Sequence, residues 1–356
     1  MISSDVAATE EPLDRALAWL DEGRKVALAT VVETWGSSPR PRGSQLAIRD
    51  DGLFVGSVSG GCVEGKVVEA ALSAMSDRAH RLLEFGVSNE EAWEVGLACG
   101  GTVHIYVEPV RSTEAGPLDR DVLLALQEAR EARKAIVLLT PLDGGTVRTW
   151  SPGDPELPAE LRDAVRRALT TDDATRVDTA TGPMFVQALN PPLKLVVIGA
   201  VHIALPLTKM AVLCGYEVTV IDPRESFARV ERWPDAGKNE PGGPRITVRA
   251  EWPDEVLASM NLDHRTAVVA LTHDPKIDDL ALEAALRSEA FYIGALGSGK
   301  NHAGRLKRLE ASGGFSAGTL ARVHGPVGLR IGARSPAEIA VSILGQMTES
   351  LRRMAS

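Results

Sequence analysis

Leu13, Ala16, Leu17 and Leu20 recur at helical spacing and predict a short opening helix that stops near Gly23. The pattern then changes. KVALATVVET, SQLAIRD and GLFVGSV are short apolar runs broken by the turn-forming GSSPRPRGS and by Asp51-Gly52, and they read as strands. Val63, Val67, Ala70, Ala71 and Ala74 share one helical face directly after Gly60-Gly61-Cys62. RLLEFGV and TVHIYVEPV predict two more strands, with Cys99-Gly100-Gly101 between them. A helix near 118–132, the strand KAIVLLT, a helix near 158–170 and the strand-like GPMFVQAL lead to Asn190-Pro191-Pro192, where the proline pair marks a domain boundary.

Beyond the prolines the pattern becomes regular. LKLVVIG, EVTVID, RITVRA, TAVVALT and FYIGALG are apolar strands separated by helical stretches, and Ser335-Pro336 opens a last helix as N-cap and first helical residue. Strands alternating with helices predict a parallel sheet with right-handed crossovers. The expected architecture is α/β: a mixed α/β domain over 1–190, then a Rossmann-like parallel-sheet domain over 191–356.

Composition adjusts this picture in a few places. At 356 residues two cores are expected, and with only 4% aromatic residues they must be built from Ala, Val, Leu and Ile. The net charge of −9 argues against nucleic acid or an anionic membrane as partner. No apolar run approaches a membrane span, the N-terminal residues lack the basic and apolar regions of a secretory signal, and three distant cysteines form no disulfide framework. A cytoplasmic protein is expected.

The first strand of the second half runs into Gly199-Ala200-Val201-His202-Ile203-Ala204, the setting of a dinucleotide-binding turn. Gly199 suits the tight turn, Ala204 the close helix–strand packing, and Asp222 at the end of the next strand is placed to hold a ribose hydroxyl. Val201 stands where the motif has its second glycine, and a β-branched side chain there crowds the pyrophosphate path. The alternatives are a weakly bound NAD(P) or other nucleotide, and a Rossmann-like fold that holds none. GALGSGK has P-loop spacing, but Asn301 replaces the hydroxyl residue that would ligate magnesium, so Ser298 belongs to a candidate phosphate-touching loop rather than to an ATPase. His273, after TAVVALT, falls at the same sheet edge, as a ligand contact or a plain turn residue.

Two loops carry the thiol chemistry. Ser59-Gly60-Gly61-Cys62 puts Cys62 at a predicted helix start, where unpaired N–H groups favour a thiolate and a bound anion. Cys99-Gly100 offers a second flexible thiol. Arg40 and Arg42 add positive charge if their loop folds over the site, and otherwise form a solvated pair. Soft thiolates suit molybdenum or persulfide sulfur. Cys214, in an apolar stripe with Ile203, Leu207 and Met210, is expected to be buried and inert.

With VVETWGSSPRPRGSQLAI, GSVSGGCVEG, LACGGTVHIYVEP, VVIGAVHIA, VTVIDPR, LTHD, YIGALGS and HGPVGLRIGARSPAEIAVSI in this order, the chain resembles the XdhC/CoxI family over nearly its whole length. These are accessory proteins of xanthine dehydrogenase and related molybdenum hydroxylases. The resemblance implies a protein that binds the molybdenum cofactor and assists its sulfuration with a cysteine desulfurase. It implies delivery to an apo molybdenum hydroxylase of the xanthine or carbon monoxide dehydrogenase type. Cys62 would be the thiol that retains the cofactor. The family's Gly-Ala-Gly-His turn places His202 among the binding residues, with Val201 departing from it; GSGKN departs from the basic run usual after Gly-Ser. A homodimer is carried as a candidate assembly. The rival is an NAD(P)-dependent oxidoreductase using the Rossmann-like domain, which the chain supports with no clear acid–base set.

Overall fold

The computed structural model describes residues 11–36, 39–86, 101–111, 117–233, 236–237 and 246–353, and the chain divides into two compact units, 1–191 and 192–356.

In the first unit, α1 (Pro12–Asp21) precedes β1 (Val26–Gly36), β2 (Gln45–Arg49), β3 (Phe54–Gly56), α2 (Glu64–Asp77), β4 (Arg81–Gly86), β5 (Gly101–Arg111), β6 (Leu118–Asp119) and α3 (Arg120–Glu131). The sheet order is β3-β2-β1-β5-β4, with β6 beside β5. Both faces of its centre are covered. Ala27, Ala29, Val31, Ile105 and Val107 pack under Val67, Ala71 and Ala74 of α2. Val26, Leu28 and Val110 pack with Leu13 and Leu17 of α1 and Leu123 and Leu126 of α3. Two-sided burial explains why β1 begins as an unbroken apolar run rather than an alternation. A second, antiparallel sheet follows: β7 (Ile136–Pro141), β8 (Arg148–Trp150), α4 (Ala159–Thr171), β9 (Thr175–Thr179) and β10 (Gly182–Leu189), ordered β8-β7-β10-β9. Leu161, Ala164, Val165 and Ala168 of α4 close one face of it.

The second unit is a parallel sheet throughout. Its elements are β11 (Leu193–Ile198), α5 (Ala204–Leu213), β12 (Tyr216–Ile221), β13 (Ile246–Arg249), α6 (Pro253–Ser259), β14 (Thr266–Ala270), α7 (Pro275–Leu286), β15 (Tyr292–Ala295), α8 (Gly299–Gly313), α9 (Ala317–Leu320), β16 (Val323–His324) and α10 (Pro336–Arg353). The order β13-β12-β11-β14-β15-β16 is that of a Rossmann fold, and strand order reverses between β11 and β14. Leu207 and Ala211 of α5 and Ala340, Ile343 and Met347 of α10 share one core; Ile277, Ala281, Leu282 and Ala285 of α7 share another. The Ser335-Pro336 start is capped reciprocally: Glu338 N–H donates to Ser335 Oγ (3.2 Å), while Glu338 Oε2 accepts from the Arg334 and Ser335 N–H groups (2.7 and 2.9 Å).

Cys214 departs from expectation. Helix α5 ends at Leu213, Cys214 is its C-cap, and the thiol is exposed. The apolar stripe stops contributing to the core at Ala211, because the chain turns through Gly215 (φ +81°) into β12. Among the described residues, no helix is long and apolar enough to cross a membrane.

Candidate functional site

The Gly-Cys loop hangs between an edge strand and a helix anchored in the core. At Gly56 (φ +100°) β3 ends against β2 so closely that a Cβ would stand 2.3 Å from the Gln45 carbonyl oxygen. The loop then turns through Gly60 (φ +80°) and Gly61 (φ +114°), conformations that other residues adopt only with strain. Cys62 lies two residues before α2 begins at Glu64, and it is exposed. Space over the second glycine is open: a Cβ on Gly61 would meet nothing within 4 Å.

The N–H groups of this loop, expected to be free for a bound anion, are already taken. Oε1 of Glu64 accepts from the N–H groups of Val58 (3.2 Å), Ser59 (3.0 Å) and Gly60 (3.1 Å) and from Ser57 Oγ (2.9 Å). Its Oε2 accepts from Gly61 N–H (2.9 Å) and from the Ser59 hydroxyl. Ser59 Oγ in turn accepts from the N–H groups of Cys62 (3.1 Å) and Val63 (3.0 Å). Burial of Glu64 alone would raise its pKa, but the donors from Ser59 and Ser57 prevail and hold it down at about 2. Sequence reading missed Glu64. The available signal was a glutamate three residues after a loop glycine, the spacing of a carboxylate reaching back to a helix start.

Arg40 comes to the loop, with Nε 3.3 Å from the Ser57 carbonyl oxygen, while neighbouring Pro39 lies 3.7 Å from where a Gly60 Cβ would stand. Arg42 points elsewhere and pairs with Asp173 at 3.0 Å, so the two arginines do not act together. Cys99 and Gly100 lie outside the described residues.

In the second unit the carboxyl ends of the strands gather the other candidates. Gly199 (φ +103°) is required twice over, by its backbone conformation and because a Cβ would stand 2.6 Å from Thr272 Cγ2. That approach brings the β11 turn against the loop bearing His273. His202 is exposed, and Val201 is half-buried against the core. Asp222 is wholly buried, and its position at the end of β12 is as expected, but its carboxylate is occupied. It accepts from Ala200 N–H (2.9 Å) and Arg224 N–H (3.0 Å), and Arg224 grips it through Nε (2.8 Å) and Nη2 (2.7 Å). A ribose hydroxyl would have to displace that fork.

His273 is exposed and holds a left-handed φ of +64°, stabilised by its N–H donating to Asp278 Oδ2 (3.1 Å). Buried Asp278 also accepts from the Thr272 hydroxyl (2.6 Å), and burial raises its pKa despite those bonds and the charge of Arg305. Ser298 caps α8 by accepting from Asn301 N–H (3.2 Å). Gly294, the first position of the P-loop-like spacing, is inside β15, where a Cβ would collide with Val327 at 2.6 Å. Packing against Val327 thus accounts for Gly294 within the strand, and the loop at 296–298 that follows it ends in the Ser298 cap of α8.

Taken together, these features define a class: a glycine-framed exposed thiol in a mixed α/β unit, followed by a Rossmann unit whose acid at the end of β12 is paired with an arginine. The models of known families match the chain twice. The XdhC and CoxI family matches residues 19–86, and the XdhC Rossmann domain matches 195–347. The chain belongs to the XdhC/CoxI family. It is 27% identical over 350 residues to a Bacillus subtilis protein named as a probable xanthine dehydrogenase subunit, covering 95% of this chain and 97% of that one. It is 27% identical over 332 residues to the Escherichia coli "Molybdenum cofactor insertion chaperone PaoD", covering 93% of this chain and 85% of the relative. A crystal structure from Bacillus halodurans described as a xanthine dehydrogenase superposes with a TM-score of 0.69 at 24% identity, over 97% of this chain and 96% of that one, and shares the fold.

Proposed function

We propose that the protein binds the molybdenum cofactor as cargo and inserts it into an apo molybdenum hydroxylase of the xanthine dehydrogenase type. Family membership and the naming of one relative as an insertion chaperone support the reading. The observation that carries it is the Gly60-Gly61-Cys62 loop: an exposed soft donor beside open space, on a backbone fixed by internal hydrogen bonds. A thiolate so presented can ligate a soft metal reversibly, as transfer requires. The finer steps belong to the same proposal: sulfuration of the cargo in company with a cysteine desulfurase, before delivery to a xanthine or carbon monoxide dehydrogenase-type client.

The test is to co-express the protein with cofactor biosynthesis, purify it without oxygen, and measure pterin and molybdenum per chain. The unaltered protein retains both and accelerates activation of apo-enzyme, and Cys62→Ser loses them while staying folded. Full retention by that variant would remove Cys62 from the site. Steady hydride transfer to or from NAD by the isolated protein would favour the oxidoreductase reading instead.

A further inference from the structure

Glu64 is too heavily bonded for an ordinary helix cap. A carboxylate at a helix start typically satisfies one or two N–H groups. This one collects four N–H groups and two hydroxyls, all from Ser57 to Gly61, the five residues that carry the chain to Cys62. The positive φ angles of Gly60 and Gly61 turn successive N–H groups to one side, which is how a backbone forms an anion nest. In this loop the anion is the protein's own side chain, buried and supplied by the first residue of α2. Helix α2 is itself held to the sheet by Val67, Ala71 and Ala74, so the carboxylate is a fixed post around which the loop is wound.

We infer that Glu64 is the positioning residue of the thiol site: it winds the Ser57–Gly61 backbone around its carboxylate, presents Cys62 outward, and leaves a ligand to be held through sulfur rather than through the loop's N–H groups. This rests on the reading of Cys62 as the cargo-contacting thiol. Two consequences separate the role from general support of the fold. The loop's own N–H groups offer no oxyanion site while Glu64 is in place, so an oxygen-rich anion without a soft centre finds no hold there. Geometry at Cys62 also depends on Glu64, although the two side chains need not touch.

The experiment uses the full chain without cargo and compares the unaltered protein with Glu64→Gln and Ser59→Ala. Gln keeps the size but brings an NH2 group among donors, and Ala removes the hydroxyl that links Glu64 to the N–H groups of Cys62 and Val63. Amide hydrogen exchange is read at 58–63, and iodoacetamide alkylation of Cys62 is read by peptide mass spectrometry, with exposed Cys214 as reference in the same chain. The expected result is amide exchange at 58–63 faster by about tenfold in Glu64→Gln, the scale of one lost charge-assisted hydrogen bond, and a lowered Cys62-to-Cys214 rate ratio, because the thiol is no longer held outward. Ser59→Ala gives a smaller change of the same sign, and keeps the test open if Glu64→Gln does not fold. Unchanged protection and an unchanged ratio would overturn the inference. So would full pterin retention by a folded Glu64→Gln chain on anaerobic co-purification. A failure of the unaltered protein to hold pterin would strike at the proposed function instead, since exchange and alkylation are read on the empty protein.

Discussion

Arg224 closes on Asp222 with both arms of its guanidinium, Nε at 2.8 Å from Oδ1 and Nη2 at 2.7 Å from Oδ2. The acid is fully buried while the arginine remains partly open to solvent, at 37% side-chain exposure. Bidentate pairing of this kind is strong and geometrically specific. Its place at the end of β12 matters because a Rossmann site uses an acid there to hold the ribose. Asp222 stands at that position with its carboxylate bonded inward to Ala200 N–H and to Arg224.

NAD binding is therefore expected to be weak, with Kd above about 1 mM, equivalent to less than about 4 kcal/mol of affinity. Val201→Gly opens the pyrophosphate path but leaves Asp222 paired, so the gain stays within about tenfold. Titration calorimetry on both proteins checks this. Sub-micromolar binding by the unaltered chain would contradict it.

Arg224→Ala leaves a buried carboxylate with only the Ala200 and Arg224 N–H groups. Removing one partner of a buried pair is costly, and with those two bonds retained the expected loss is about 2 kcal/mol. Adding Asp222→Asn should recover part of it, because no charge is then left unpaired. Urea melts of the single and double variants measure the coupling; equal midpoints for the unaltered and Arg224→Ala proteins would show that the pair contributes nothing.

What the sequence made legible follows from how far each signal reaches along the chain. The cores of β11, β14 and β15 are apolar runs between helices of ordinary length, and local patterning suffices to read them. β8 is only three residues, and β9 (TRVDT) alternates polar and half-buried positions on a sheet edge, so neither stands out without its partner strand. Gly199 was readable because a positive φ and close packing both demand glycine. Asp222 was readable as a position, but its partner two residues on was not, since which way a carboxylate turns depends on the fold. Glu64 escaped notice because its role needs two positive-φ glycines to fold the preceding backbone over it. Cys214 was misplaced by a helical stripe extended one step beyond the end of α5.

Cys214→Ser is accordingly expected to change stability by less than about 0.5 kcal/mol, as for most exposed substitutions away from special features. The thiol should also alkylate readily in the native protein, since it is exposed at a helix C-cap. Thermal melts and peptide-level labelling check both points. A loss above about 2 kcal/mol, typical of a core site, would mean that the side chain is packed after all.

The last expectation concerns pH. Glu108 lies opposite Leu28 in the β1–β5 pairing, is 4% exposed, and its Oε2 has no hydrogen-bond partner among the described residues. Burial pushes its pKa from 4.5 up to about 8. Tyr106, two residues earlier on the same strand, is also buried; burial raises its pKa, and the nearby charges of Glu108 and Asp143 add to the shift. Between the unfolded and folded values of Glu108, the unfolded chain has released the proton and the folded chain still holds it. The unfolded state then binds fewer protons, so stability falls as pH rises, by about 1.4 kcal/mol per unit at most. Below the unfolded value both states are protonated and this slope vanishes; above the folded value both are ionised and it levels off. Glu108→Gln keeps a neutral group of the same size, so it should flatten the dependence across the neutral range while retaining the fold. Urea midpoints measured from about pH 5 to about pH 8 for both proteins decide the matter, and parallel pH dependences would show that Glu108 does not hold its proton in the folded chain.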